Sequence, residues 1–365
     1  MNPEPADGQL DSSNRAAELP PPWQGGFRST IPVITSAKAL DTLLTNRVRI
    51  DEPAQLLLAA RRPSAALACN STLQRCQVTF QNVTWILTDP VITPDQIEEL
   101  GRLACQTAVH VTVDHFQHVE WIRTAAAAAN ATVGVIIQID PGNSPGGLRP
   151  GHDTGDLARA TELLTGVRVS GLAIQHPGAD CLDDPKSFRD RTSAVISSCR
   201  LMVQHITQRA PAIVLIDFPT DFRSFADTAH ILQDSSSATV ESLEETASLL
   251  QLRVRSRPSL GVCILDAGRR TPGVPALPEI AIPAGATVRH VFDHHIEVTL
   301  EETALNLRIG DTVMLQTKPP DRSHVDAAES STPSGPESAT LPAASAIQAH
   351  VARESSQSPL QRPPG

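Results

Sequence analysis

A glycine-rich loop is the first stretch of this sequence whose residues could do chemistry. It runs from Asp140 to Gly147 with the sequence DPGNSPGG and follows an apolar run. Its backbone N–H groups could face a ligand where that strand ends, although glycine and proline also simply make turns. The spacing matches neither a dinucleotide-binding nor a Walker fingerprint. We therefore take Asp140, Gly142 and Gly146 as candidate ligand contacts without naming a nucleotide.

A histidine cluster near the carboxyl end is the second candidate. His290, His294 and His295 lie within six positions, beside Asp293 and Glu297, and such side chains can hold a first-row metal ion. On a strand, however, His294 and His295 would point to opposite faces and could not both bind one ion. The alternative is a solvated rim, with His294 as the one weak metal candidate.

Other histidines give less information. His115 and His118 are one helical turn apart at the start of a predicted helix, where surface exposure is common, and we assign them no role. No GxSxG elbow accompanies any histidine, so the sequence does not support serine hydrolysis.

Short apolar runs alternate with helical patterns through the middle of the chain, as in βαβ units. The runs are continuously apolar, which is typical of parallel strands covered on both faces. Thr93 with Pro94 and Asp114 mark helix starts, and further helices are predicted at 154–164 and 188–209. The predicted strands are Val83–Leu87, Val109–Val113, Val133–Ile139, Val169–Ile174 and Ile213–Ile216. This alternation of strands and helices predicts an α/β fold, namely a (β/α)8 TIM-like barrel over residues 29–245.

After about residue 246 the pattern changes to strands and turns without helices. The runs LLQLRVRS, GVCILDAG, TVRHVFDHHIEVTL and IGDTVMLQT predict a small C-terminal β domain over 246–318, with which the N-terminal segment could pair. Segments 1–28 and 319–365 hold 13 of the 30 prolines and few large apolar groups, so we expect both to be disordered.

Charge and composition narrow the functional classes. The formal net charge is −10 and no segment concentrates basic residues, which argues against nucleic-acid binding. No apolar run has the length of a membrane helix, and the start of the chain does not resemble a signal peptide, so we expect a cytoplasmic protein without membrane association. The six cysteines contain no CxxC pair, so we expect packed or surface thiols.

Several of these segments together resemble the D-threonine aldolase / D-serine dehydratase family. The resemblance rests on VTWILTDPVITPDQIEELGRLA, IDPGNSPGGLRPG, VRVSGLAIQHPG, SRPSLGVCILDAG and LRIGDTVMLQT, in the family's order. It implies an alanine-racemase-like barrel, a C-terminal β domain, pyridoxal phosphate and zinc as cofactors, and paired barrels in a homodimer.

The family's lysine, which forms an imine with pyridoxal phosphate, has no counterpart at the matching place. The corresponding segment is Leu44–Pro53, with Val48 or Arg47 at the lysine position. Valine has no amine, and arginine stays protonated. The chain has only three lysines, Lys38, Lys186 and Lys318, and Lys38 is the one conceivable substitute.

Three further family features also differ. Pro145 occupies the loop where the family carries an arginine near the cofactor. The run IVLIDFPTDF at 213–222 replaces a Gly-Gly-Gly-Thr-like phosphate cup, in which only Thr220 remains as a hydroxyl contact. Gln316-Thr317-Lys318-Pro319 stands where a zinc-binding His-x-Cys is expected, so both cofactors are in doubt.

We therefore expect a homologue that has lost its catalytic apparatus and acts by binding or regulation, with a small amino-acid-like ligand. The positions expected at the ligand are Asp140, Gly142, Gly146, Gln175, His176 and Thr220. One alternative is an active lyase on D-3-hydroxy amino acids, with Lys38 forming the imine and His176 as base. Another is an assembly protein whose tails recruit partners.

Overall fold

The computed structural model describes residues 30–33, 38, 40–41, 56–75, 83–142, 146–175, 184–217, 230–234, 249–271, 273–274 and 278–316. The two ends expected to be disordered, 1–28 and 319–365, lie outside these residues. So does the segment Leu44–Pro53 in which the imine lysine was sought. A compact unit ends at Lys318 and contains both sheets described below.

Eight parallel strands close into a barrel. Each strand pairs with the next along the chain, and β8 returns to pair with β1. The strands are β1 (Thr30–Val33), β2 (Leu56–Ala60), β3 (Val83–Leu87), β4 (Ala108–Val113), β5 (Val133–Gln138), β6 (Val167–Gln175), β7 (Ile213–Asp217) and β8 (His230–Asp234). The predicted barrel is confirmed.

Helices connect the strands of the barrel. They are α1 (Pro63–Arg75), α2 (Pro94–Ala104), α3 (Phe116–Ala128), α4 (His152–Glu162) and α5 (Pro185–Thr207). Thr93 starts α2 with a capping box: its hydroxyl accepts from the Gln96 amide at 3.3 Å, and the Gln96 side chain accepts from the Thr93 amide at 3.2 Å. The start of α3 differs from the prediction, because His115 rather than Asp114 is its N-cap.

The barrel strands are apolar on both faces because each face is covered. Outward side chains such as Trp85 and Val111 pack in one cluster with helix residues such as Leu100. Inward side chains such as Ile86 and Ile136 form a second cluster inside the barrel. A polar side chain in this interior destabilises the fold unless it has a hydrogen-bond partner.

The C-terminal strands form a six-stranded antiparallel sheet with its own core. Its order is β11-β14-β9-β10-β13-β12, with β9 (Leu249–Ser259), β10 (Val262–Leu265), β11 (Glu279–Ile282), β12 (Ala286–Val291), β13 (Ile296–Leu300) and β14 (Thr312–Gln316). This confirms the small β domain. The run TVRHVFDHHIEVTL contains two strands, because the chain bends at Asp293 and His294. None of the described helices is long and apolar enough to span a membrane.

Close packing of two barrel strands gives a test of the fold. A Cβ at Gly171 on β6 would lie 2.5 Å from the Ile213 carbonyl oxygen on β7, so Gly171→Ala forces backbone apart. We expect this substitution to lower the free energy of unfolding by about 1–3 kcal/mol, measured by urea unfolding.

Gly101→Ala is the matched control, since a Cβ there meets nothing closer than 3.4 Å and the site is inside helix α2. We expect this variant to be neutral or more stable, because alanine favours a helix over glycine. An equal loss in both variants would contradict the strand packing described here.

Candidate functional site

The carboxyl ends of the barrel strands meet at one end of the barrel, which we call the mouth. In a barrel of this kind, ligand sites are usually built there. Two side chains of the antiparallel sheet, Arg255 from β9 and His295 from the turn before β13, reach residues that follow the barrel strands. The resulting mouth network consists of Arg61, Asp89, Asp114, His118, Gln138, Gln175, Arg255 and His295.

Arg255 lies at the centre of the mouth network and is only 3 % exposed. Its NH2 atom is 3.4 Å from Gln138 Oε1 and 3.5 Å from Asp89 Oδ1. Its backbone carbonyl accepts a 3.0 Å hydrogen bond from His118 Nε2. Arg255 therefore joins the antiparallel sheet to three segments of the barrel, through both its side chain and its backbone.

Asp89, just after β3, is the carboxylate that balances the buried arginine. Its oxygens lie 3.5 Å from Arg255 NH2, 3.9 Å from Arg61 NH1 and 3.9 Å from His295 Nε2. A guanidinium removed from water is strongly destabilising unless it is paired. One carboxylate is thus shared by two arginines and a histidine ring.

The side-chain amides in the mouth network form a chain of hydrogen bonds in which each residue donates to the next, from Arg255 to His295. Arginine can only donate, so Gln138 Oε1 accepts from Arg255. Gln138 Nε2 then donates to Gln175 Oε1 at 3.2 Å, and Gln175 Nε2 lies 3.3 Å from His295 Nδ1. His295 Nδ1 must therefore accept, which puts the ring proton on Nε2, facing Asp89.

His295 is neutral in this setting. Burial, followed by the charges of Arg255 and Arg61, holds the pKa of His295 well below its usual value. Burial, with Arg61 and Arg270, also lowers the pKa of the neighbouring His294 to about 4. Burial is therefore the first cause of both shifts and nearby arginines the second, and at neutral pH His295 serves as a hydrogen-bonding group rather than a cation.

Asp114 connects the mouth network to the glycine-rich loop. Its Oδ2 accepts from the Gly147 amide at 3.2 Å, and its Oδ1 lies 3.4 Å from His118 Nδ1. His118 is fully buried, and burial lowers its pKa to about 4 although Asp114 opposes the shift. A described N–H of the loop is thus used to bind the protein's own carboxylate.

Some of the residues expected at the ligand lie at the mouth network, and others do not. Gln175 belongs to the mouth network, and Gly146 is buried beside it, where a Cβ would lie 3.4 Å from Asp114 Oδ2. Asp140 accepts from the Gly142 amide at 2.7 Å and so shapes its own turn. His176 and Thr220 lie outside the described residues.

The histidine cluster does not form the solvated rim that was considered. His290 lies on β12 and His294 in the bend, while His295 is only 2 % exposed and belongs to the mouth network. Because His294 and His295 lie in and after a bend rather than on one strand, the argument that they point to opposite faces of a strand does not apply. Among the described side chains, no group of three or more His, Cys, Asp or Glu is arranged to hold a metal ion.

Sequence reasoning missed five network residues, Arg61, Arg255, Asp89, His118 and Gln138, and took Asp114 only as a helix start. His118 was expected at the surface, which is wrong. Two local signals were available. Asp114 and His118 stand four residues apart across a strand end and a helix start, and Gln138 is the one polar residue in the otherwise apolar run VGVIIQI. Arg255 gave no such signal, because its partners are distant in sequence.

The family model of the alanine racemase N-terminal domain matches residues 50–238, more than half of the chain. The chain belongs to this family. The match confirms the alanine-racemase-like barrel expected from the resemblance, and the alanine racemase family depends on pyridoxal phosphate. Among curated protein sequences, none matches the chain.

Several solved structures are similar to this alanine-racemase-family chain at low identity. D-threonine aldolase from Filomicrobium marinum is 17 % identical, covering 79 % of this chain and 80 % of its own, with a TM-score of 0.44. Alanine racemase from Clostridium difficile 630, in complex with cycloserine, is 13 % identical over 80 % of both chains, with a TM-score of 0.43. D-threo-3-hydroxyaspartate dehydratase from Delftia sp. HT23 is 13 % identical over 79 % and 82 %, with a TM-score of 0.41.

The described residues fit only part of the family's cofactor. Pyridoxal phosphate needs an amine for its aldehyde and donors for its phosphate. Arg255 is a suitable donor, but none of the eight residues in the mouth network is a lysine. Lys38, five residues after the end of β1, has an exposed side chain, whereas Lys186 lies in the first turn of α5. The mouth network therefore fits an oxyanion and not an imine.

Removing the carboxylate of Asp89 tests the pairing of the buried arginine. We expect Asp89→Asn to lower the free energy of unfolding by about 2–4 kcal/mol, because it leaves the charge of Arg255 underpaired; Asp89 is 24 % exposed, so the loss is below that of a fully buried pair.

Arg255→Met removes the buried charge itself, so we expect Asp89→Asn to cost much less in that background. The measurement is a double-mutant cycle by urea unfolding, with the exposed Glu98→Gln as control. Additive losses would show that Asp89 and Arg255 are not coupled.

The pKa of His118 predicts a pH dependence of stability. In the unfolded chain His118 binds a proton below about pH 6.5, but in the folded protein only below about pH 4. Between these values the unfolded state holds more protons, so the free energy of unfolding falls as the pH falls. His118→Gln keeps a donor for the Arg255 carbonyl but does not titrate, so we expect it to flatten this slope by up to about 1.4 kcal/mol per pH unit.

The measurement is urea unfolding at a series of pH values from 7 to 4.5. His205→Gln is the control, because water surrounds this exposed side chain in both states. If the slope of His118→Gln matches that of the wild type, His118 is not the buried neutral group described here.

Proposed function

We propose that this alanine-racemase-family protein binds a small amino-acid-like ligand at the barrel mouth and does not carry out imine chemistry. It would act by binding or regulation. The observation that carries the proposal is the mouth network itself: the ends of five barrel strands carry its hydrogen-bonded and paired side chains, and none of them is a lysine.

The positions at which the sequence differs from the family also support binding without imine chemistry. Val48 or Arg47 stands at the family's lysine position, and IVLIDFPTDF replaces the glycine phosphate cup. Asp217, the last residue of β7, belongs to the segment that stands in place of this cup. Each change removes a different cofactor contact.

One observation favours the alternative of an active lyase on D-3-hydroxy amino acids. Lys38 follows the carboxyl end of β1, which is the end of the barrel that carries the mouth network. A lysine there could form an imine if the chain between β1 and β2 directs it inward. This alternative gives Lys38 the role of the absent family lysine.

The state of the cysteines supports a cytoplasmic location, which we include in the proposal. The four described cysteines are free thiols, three of them buried. Burial raises the pKa of Cys69 and of Cys263 to about 11, so both are unreactive packing groups. Such thiols are typical of a reducing compartment.

The two functions are separated by a covalent test for an imine. The purified full chain is mixed with pyridoxal phosphate, its visible absorbance is recorded, and the mixture is reduced with borohydride before peptide mapping. We expect no stoichiometric adduct on a lysine of the folded wild-type protein, because the mouth network lacks an amine.

A stoichiometric adduct on Lys38, abolished by Lys38→Ala and retained by Lys186→Ala, would overturn the binding proposal. It would establish the imine and direct the next assays to D-threonine cleavage and D-serine dehydration. Sparse labelling spread over several lysines would instead leave the binding proposal in place, because surface amines react non-specifically with aldehydes.

A further inference from the structure

The guanidinium of Arg255 has more donors than acceptors around it. Its NH2 atom contacts Gln138 and Asp89, but Nε and both hydrogens of NH1 have no partner among the described residues. Three of its five N–H groups are therefore unused in a side chain that is only 3 % exposed.

A buried guanidinium with unused donors is rare because it destabilises the folded state. Buried donors in native proteins are almost always hydrogen bonded, and the cost is greatest when the donor carries charge. The unused donors of Arg255 thus indicate an acceptor that binds from outside the chain. The hydroxyl of Thr112, on the inward face of β4 two residues before Asp114, is one of several other buried donors without a partner.

The charges around Arg255 favour an anion as that acceptor. Two guanidinium groups, those of Arg61 and Arg255, face the single carboxylate of Asp89 at this point. Burial, and after it the charges of the same two arginines, lowers the pKa of His295, so this neighbouring ring does not add a positive charge.

Two further acids lie near the mouth network: Asp266, which interacts electrostatically with Asp89, and Asp114, whose buried Oδ1 has no hydrogen-bond partner. Asp114 binds the Gly147 amide and lies against the His118 ring. His118 and His295 are neutral at pH 7, because burial lowers the pKa of both rings. Asp89 and Asp114 thus limit the site to a small anion of low charge.

We propose that Arg255 anchors a small oxyanion, a carboxylate or a phosphate group, at the barrel mouth. The inference rests on the proposed function, because it names the chemical group by which the ligand of that site is held. The unused N–H groups of Arg255 donate to the oxyanion, and Gln138 and Asp89 hold the guanidinium in place from its other end.

The test measures whether oxyanions stabilise the full-length protein through Arg255. Thermal unfolding is followed in sodium acetate and in sodium phosphate, each against sodium chloride at equal ionic strength and pH 7. At roughly 20 times its dissociation constant, a bound anion should raise the melting temperature by about 3–5 °C. The acetate and phosphate arms distinguish a carboxylate from a phosphate ligand.

We expect Arg255→Met to abolish the shift and Arg289→Met, at an exposed arginine of the same sheet, to keep it. Arg255→Lys retains a positive charge but loses the guanidinium donors, so it should reduce the shift and serves if Arg255→Met does not fold. No shift in the wild type, or an equal shift in Arg255→Met, would overturn the inference.

A negative result in the oxyanion test can be distinguished from a negative result for the proposed function. An imine with pyridoxal phosphate can form or be absent whether or not oxyanions act through Arg255. A wild-type protein with neither an adduct nor an anion effect would keep the loss of imine chemistry and disprove the oxyanion site.

Discussion

A guanidinium that is almost fully removed from water must find acceptors, and this requirement organises the mouth of the barrel. Arg255 comes from the antiparallel sheet, yet one of its acceptors lies just after barrel strand β3 and the other is the last residue of β5. The interaction therefore fixes the position of β9 over the barrel as well as the orientation of two glutamine amides. Arginine suits this role because its side chain cannot accept a hydrogen bond. The donor and the acceptor of each hydrogen bond in the chain that starts at Arg255 are therefore determined.

The glycine-rich loop shows how local sequence can suggest one role while tertiary structure supplies another. Its glycines permit a backbone that side chains would exclude: Gly147 has a φ of +106° and a Cβ there would lie 2.8 Å from the Ile139 carbonyl carbon. The Gly147 N–H turns towards Asp114 instead of an open cavity. Close backbone approach here positions a carboxylate of the protein itself.

The sequence allowed the barrel, the β domain and most strand and helix positions to be predicted, because these depend on local periodicity and caps. Val83–Leu87 matches the observed strand, and Thr93 with Pro94 marks the start of α2 as predicted. Long-range contacts were beyond such reasoning. The partners of Arg255 lie more than a hundred residues away, and buried His118 is hydrogen bonded to the backbone of β9, 137 residues further along the chain. Of the expected ligand positions, Gln175 joins the mouth network because it ends a strand, which is a property visible in sequence.

Closure of the barrel by β1 and β8 has a consequence for how the chain is made. These strands lie at opposite ends of the barrel sequence, so a nascent chain holds an open parallel sheet with two unpaired edges until β8 leaves the ribosome. The antiparallel sheet is synthesised later still, and until it arrives Asp89 keeps Arg61 but lacks Arg255, and Gln138 lacks the same donor. The mouth network is therefore completed only after β9 has been made, and a chain that stops before β9 leaves polar side chains of the mouth without the sheet residues that pair with them.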